Sequence, residues 1–168
     1  MTSLEARAIR HAPPTEPRMF FQLAFRLLHP SAVYMHNWSI DLLGEALGRC
    51  HRRETTRLII NMPPRSLKSL CASVAFPAWV LGVSPETKTM CISGHRGLAT
   101  EHHEMARKLM QHGRYRALFP HVRATETPGR LALNQGGSRS AFTPTAAVTG
   151  RGADIVIIDD PQPADDAD

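Results

Sequence analysis

The sequence predicts an α/β fold in which helices flank a mostly parallel central sheet. Three stretches carry that expectation. Thr56-Arg57-Leu58-Ile59-Ile60-Asn61 is an apolar run with β-branched residues that reads as a buried strand. Leu70-Cys71-Ala72-Ser73-Val74-Ala75, shortly downstream, reads as a buried helix. Ile155-Val156-Ile157-Ile158, four β-branched residues in a row, reads as a strand buried on both faces. Strands that alternate with helices imply a parallel-sheet α/β domain.

From the N-terminus, Met1 to Pro17 is polar, carries three prolines and lacks apolar periodicity, so it reads as a mobile arm. Met19 to Leu28 reads as a short helix stopped by His29-Pro30, because the residue before proline disfavours the helical region. Ile40, Leu43 and Leu47 share a stripe, which predicts an amphipathic helix over Ser39 to Leu47. His51 to Thr55 is a charged loop into the first strand. The helix begun at Leu70 is expected to end or kink near Pro77. Ser84-Pro85-Glu86 is a turn, and Lys88 to Ser93 a second strand. Ala99 to Gln111 reads as a helix with Leu98, His102, Met105 and Leu109 on one face, ended by Gly113. Leu131 to Leu133 and Ser140 to Phe142, on either side of Asn134-Gln135-Gly136-Gly137, form a hairpin pattern.

Bulk properties narrow the class. The 168 residues are 42% hydrophobic and 21% charged, values of a globular domain and not of a disordered chain. No apolar run approaches the roughly 18 residues of a bilayer span. The best candidate, Met19 to Leu28, contains Gln22 and Arg26 and lacks the features of a signal peptide. A soluble, cytoplasmic protein without a membrane partner is the expectation. Cys50, Cys71 and Cys91 are an odd number without a C-x-x-C pair, which argues for buried free thiols over disulfides or a zinc site. The net charge is +5, yet Thr149 to Asp168 holds one Arg and six Asp, so the first 148 residues carry +10. Such a body suits a polyanion such as nucleic acid, or is an ordinary basic surface, since the basic residues form no run.

The chemistry concentrates in two places. Met62-Pro63-Pro64-Arg65-Ser66-Leu67-Lys68-Ser69 lies between a predicted strand and a predicted helix, the layout of a phosphate-binding loop. There, backbone N–H groups face a polyphosphate, a lysine reaches the β/γ-phosphates and a hydroxyl ligates Mg²⁺. Met62 and Leu67 stand where G-x-x-x-x-G-K-[ST] has its glycines, and a turn with a solvated lysine is the other reading. About 90 residues on, the apolar strand ends in Asp159-Asp160, where an open α/β sheet binds ligands. One carboxylate there can hold Mg²⁺ and its neighbour can polarise a water.

Together, Pro63-Pro64-Arg65-Ser66-Leu67-Lys68-Ser69 and Thr149-Gly150-Arg151-Gly152-Ala153-Asp154-Ile155-Val156-Ile157-Ile158-Asp159-Asp160-Pro161 closely resemble the ATPase half of the large terminase subunit of tailed bacteriophages. That family has a deviant Walker A written P-P-R-x-x-K-[ST]. The resemblance runs from about Trp38 to the last residue. It implies a P-loop NTPase of the RecA-like, additional-strand type, which packages double-stranded DNA into a capsid using ATP and Mg²⁺. Residues 1–37 would be an arm and short helix, and 38–168 a partial ATPase domain. The family's coupling motif and nuclease domain would lie past Asp168, as in a truncated or split gene or an inert prophage remnant. Pro64, Arg65, Ser66, Leu67, Lys68 and Ser69 would bind nucleotide, and Ser69 and Asp159 the metal. Arg65 would sense or stabilise the γ-phosphate. Asp160 would serve as the catalytic carboxylate where many terminases have Glu. Implied partners are double-stranded DNA, the small terminase subunit and the portal protein, with a homo-oligomeric ring on the portal. A different nucleic-acid-dependent P-loop ATPase is the competing reading within the class.

Other residues invite attention. His95, His102 and His103 with Glu101 and Glu104 suggest a metal cluster, but no H-E-x-x-H is present and a half-buried histidine beside a solvated face is favoured. Ser93-Gly94-His95-Arg96 follows a strand, as a plain turn or as a loop near nucleotide or DNA. Trp38 is a core or lid aromatic, or stacks on adenine. Arg151, between two glycines, approaches phosphate or a neighbouring subunit, or is part of a turn.

Overall fold

Thr89, Met90 and Cys91 are buried at the centre of β1 (Lys88–Ser93), the strand on which the sheet is built. The computed structural model describes residues 15–146 and 152–161. β1 pairs in parallel with β4 (Ser138–Phe142) on one side and with β5 (Ile155–Asp159) on the other. β3 (Arg130–Leu133) pairs antiparallel with β4, and β2 (Ala124–Thr127) antiparallel with β3. The strand order is β2-β3-β4-β1-β5. The fold is therefore α/β, but the sheet is mixed and not mostly parallel. The cause is local: Gly129 (φ +71°) and Gly136 (φ +97°) take the left-handed conformation that tight reversals require, which folds β2, β3 and β4 back on one another.

The helices follow the apolar periodicity closely. α1 (Pro17–Leu28) starts on a proline, whose missing N–H costs nothing at a helix start. α2 (Trp38–His51) is capped by Asn37, whose side-chain oxygen accepts from the Ser39 N–H at 3.1 Å. α4 (Arg96–Gln111) is capped by His95 and is followed by the short α5 (Gly113–Leu118). The region after the loop differs from expectation. Leu70–Ala75 is wound as a π-helix and continues directly into α3 (Phe76–Val83). The helix does not end at Pro77 but changes there from π to α winding, with Pro77 in the first turn of α3.

Phe20 and Phe21 of α1 share one core with Phe76, Trp79, Tyr115 and Phe119. Phe20 meets the rings of Tyr115 and Phe119 edge-on at about 6 Å, and the Tyr115 hydroxyl donates to the Ala78 carbonyl at 2.8 Å. Burying side chains of this size contributes on the order of 1.5–3 kcal/mol each. The first helix thus belongs to the same packed unit as the sheet.

Two strand expectations are corrected. Thr56 to Asn61 has no regular secondary structure and joins no strand, and Ile59 is 94% exposed. A cleft of about 630 Å³ lies between this segment and β5, too wide for ladder hydrogen bonds. In consequence β5 is the edge strand and is not buried on both faces: Val156 is 53% and Ile158 61% exposed. Ile155 and Ile157 alternate with them and pack on the core. Among the described residues, no helix is long and apolar enough to cross a membrane. The expected arm lies almost wholly outside the described residues, as do Thr149, Gly150, Arg151 and the acidic tail from Gln162 onward.

Candidate functional site

The loop from Met62 to Ser69 is held in an unusual backbone conformation. Arg65 (φ +62°) and Leu67 (φ +65°) both occupy the left-handed region, which a side chain enters at a cost and glycine enters freely. Leu67, at the place of the second expected glycine, adopts a glycine-like conformation and offsets its strain by packing against the core. Its carbonyl accepts from the Cys71 N–H at 2.9 Å, which starts the helix. Ser66 Oγ is buried and has no hydrogen-bond partner among the described residues.

Lys68 leaves the loop toward the end of β5. Its Nζ donates to Asp160 Oδ1 at 2.9 Å and lies 3.7 Å from Asp159 Oδ1. The hydrogen bond that Lys68 donates to Asp160 and the two negative charges raise the Lys68 pKa above its ordinary value. Asp159 is 6% exposed and pairs in register with Ser93 of β1, so it stands at the C-terminal edge of the parallel strands. Asp160 follows with φ +46°, turning its side chain out toward solvent. Gly94 lies beneath it, and a Cβ there would stand only 2.2 Å from the Asp160 carbonyl oxygen.

Asp159 Oδ2 is bound from the opposite side. Ser73 Oγ donates to it at 2.8 Å, and His102 Nδ1 is 4.0 Å away. His102 is buried and lies 3.4 Å from Ser93 Oγ, while burial pushes its pKa below the ordinary value. The Ser73 carbonyl accepts from Arg139 Nη2 at 2.9 Å, and Arg139 Nη1 donates to His103 Nδ1 at 3.1 Å. Burial and the adjacent guanidinium hold His103 down to about 4, so it stays neutral and accepts. Cys71 and Cys91 are buried free thiols, and burial pushes Cys71 up to about 12.

Lys68, Asp159 and Asp160 therefore meet at one end of the cleft, as the sequence suggested. Pro64 and Arg65 are exposed beside it, with no hydrogen bond fixing the guanidinium among the described residues. Ser69 opens the helix but makes no hydrogen bond to either aspartate. The chain matches no family model, and comparison with curated proteins and solved structures finds no significant match. The site must therefore be read from its own geometry.

That geometry is a loop cation in contact with two strand-end carboxylates, beside a cleft of a size ordinary for small ligands. No group of three or more His, Cys, Asp and Glu that could hold a metal occurs among the described residues. The oxygen donors of Asp159, Asp160 and Ser69 suit Mg²⁺, which takes one or two carboxylates and completes its shell with phosphate and water. Ser73 and Arg139 escaped the sequence reading, and His103 was weighed there only as part of a metal-like histidine cluster, not as the partner of a buried arginine. Ser73 carried one signal, its place one turn beyond Ser69 on the same helix. Trp38 is exposed at the start of α2, His95 is a helix cap, and Arg151 lies outside the described residues.

Proposed function

We propose that the chain is the ATP-binding and ATP-hydrolysing motor domain of a phage terminase large subunit, of the P-loop NTPase class. It would drive packaging of double-stranded viral DNA. The observation that carries this reading is the Lys68–Asp160 contact at 2.9 Å, which brings together residues 92 apart in sequence. A lysine from a loop that opens a helix, beside a buried carboxylate at a strand end, is the minimum machinery for binding a nucleoside triphosphate with its cation.

Lys68 would bind the β/γ-phosphates, exchanging Asp160 for phosphate oxygens. The backbone N–H groups at the start of the following helix add donors to the same anion. Asp159 and Ser69 would hold Mg²⁺, which when bound neutralises charge on the phosphate oxygens. Asp160, freed from Lys68, would orient the attacking water and accept its proton. Its short side chain sits on a left-handed backbone that aims it out of the sheet edge. Arg65, exposed on the loop, would bring a planar, permanently charged fork to the γ-phosphate. Catalysis would come mostly from positioning and charge stabilisation.

The +10 carried by the first 148 residues supports double-stranded DNA as the partner, and the small terminase subunit, portal protein and a ring of copies follow from the same resemblance. The test is phosphate release from Mg-ATP by the purified chain, with and without double-stranded DNA at rising salt. Turnover stimulated by DNA, with stimulation lost at high salt, is expected. No turnover under either condition would overturn the motor reading.

A further inference from the structure

The buried carboxylate of the site is held by a residue one helical turn beyond the loop. Ser73 is fully buried, and its Oγ donates to Asp159 Oδ2 at 2.8 Å. Ser69, the hydroxyl next to Lys68, makes no such bond. His102 Nδ1, at 4.0 Å, is beyond hydrogen-bond distance, so among the described residues Ser73 supplies the hydrogen bond to Oδ2. The opposite oxygen, Oδ1, faces Lys68 at 3.7 Å.

Ser73 is itself fixed from three elements. It lies within the π-helical turn Leu70–Ala75, a winding that recurs at functional sites. Its carbonyl would ordinarily accept an α-helical bond from the residue four positions on, but that residue is Pro77, which has no N–H. Arg139 Nη2 from β4 fills the place at 2.9 Å, and Cys91 Sγ from β1 approaches at 3.8 Å. Arg139 is fully buried and is braced in turn by His103 of α4. A buried arginine spent on one serine carbonyl anchors that serine to the sheet.

We propose that Ser73 is a positioning residue for Asp159. Its hydroxyl holds Oδ2, so that Oδ1 alone is presented to the cleft, where a divalent cation accompanying a nucleotide triphosphate would meet it. This rests on the nucleotide-binding reading above. Without the hydroxyl, the carboxylate is free to rotate and to close on Lys68, and its fit to a cation falls. Hydrogen-bond partners that orient a metal carboxylate typically control affinity by this route.

The test measures binding and not turnover. The affinity of the full chain for a fluorescent ATP analogue is measured with and without Mg²⁺, for the wild type, Ser73→Ala and Ser73→Thr, alongside each melting temperature. Mg²⁺ is expected to tighten binding to the wild type. Ser73→Ala is expected to lose about tenfold of that enhancement while binding without Mg²⁺ stays unchanged, and Ser73→Thr to retain most of it. A purely structural serine would lower the melting temperature and leave the Mg²⁺ enhancement intact, and that result overturns the proposal alone. A wild type that binds no nucleotide at all overturns both this proposal and the nucleotide-binding reading.

Discussion

Lys68 Nζ donates to Asp160 Oδ1 at 2.9 Å, closing a contact between a loop and a strand end that are 92 residues apart. Among the described residues Lys68 is paired with the two aspartates alone, so any anion entering the cleft competes directly with them. Asp160→Asn should therefore free the lysine and tighten binding of a non-hydrolysable nucleotide several-fold, while turnover falls at least about tenfold. Equilibrium binding and phosphate release on the same variant separate the two effects. Weaker binding by Asp160→Asn would mean that Asp160 holds the ligand and not the lysine.

Gly94 sets the position of Asp160. A Cβ at this residue would stand 2.2 Å from the Asp160 carbonyl oxygen, a backbone atom with little room to retreat. Gly94→Ala is expected to cost about 1–3 kcal/mol of stability. Displacing Asp160 should also reduce turnover well beyond what the loss of folded protein explains. Chemical denaturation with turnover per folded molecule checks both. Unchanged turnover per folded molecule would show that the position of Asp160 does not matter.

Arg65 carries a strained backbone with no bond to its side chain among the described residues. Left-handed geometry costs a non-glycine residue roughly 1–2 kcal/mol, and glycine returns about 0.5–1 kcal/mol of that as extra freedom in the unfolded chain. Arg65→Gly should leave stability unchanged or slightly raised, yet lower turnover at least about tenfold by removing the guanidinium. A loss of stability with full turnover would reverse the assignment, making Arg65 structural.

The buried histidines tie stability to pH. His103 accepts from Arg139 only when neutral, and burial with that neighbour holds it near about 4 against an ordinary 6.5. Between these values the unfolded chain binds a proton that the folded chain does not. Stability should therefore fall as pH drops from about 6.5 toward about 4, at up to about 1.4 kcal/mol per pH unit for one proton. His102 is shifted in the same direction, again chiefly by burial. Urea unfolding of the wild type and His103→Gln from pH 7.5 to 4.5 should show a shallower fall in the variant. Identical slopes would place the acid sensitivity elsewhere.

Much of this architecture was legible in the sequence, and the failures have physical causes. Periodicity gave α1, α2 and α4 because their apolar faces meet one core. The Asn134–Gly137 turn gave the β3–β4 hairpin. β2 was missed because Ala124 to Thr127 is exposed throughout and carries no buried face to reveal it. Thr56 to Asn61 has strand composition, but pairing depends on a neighbour within ladder distance, and the cleft beside β5 denies it one. The meeting of Lys68 with Asp159 and Asp160 was foreseen from motif order. The Ser73–Arg139–His103 chain was not. An arginine in a short strand reads as solvent-facing, and only the fold brings it to a carbonyl left without an α-helical donor by Pro77.

The central claim is that Lys68 anchors a nucleoside triphosphate. The most direct measurement is the equilibrium affinity for Mg-ATP of the wild type and of Lys68→Ala. A charge-assisted bond of about 1.5–3 kcal/mol predicts a loss of roughly 10- to 100-fold in the variant. Equal affinity in the two proteins would contradict the account.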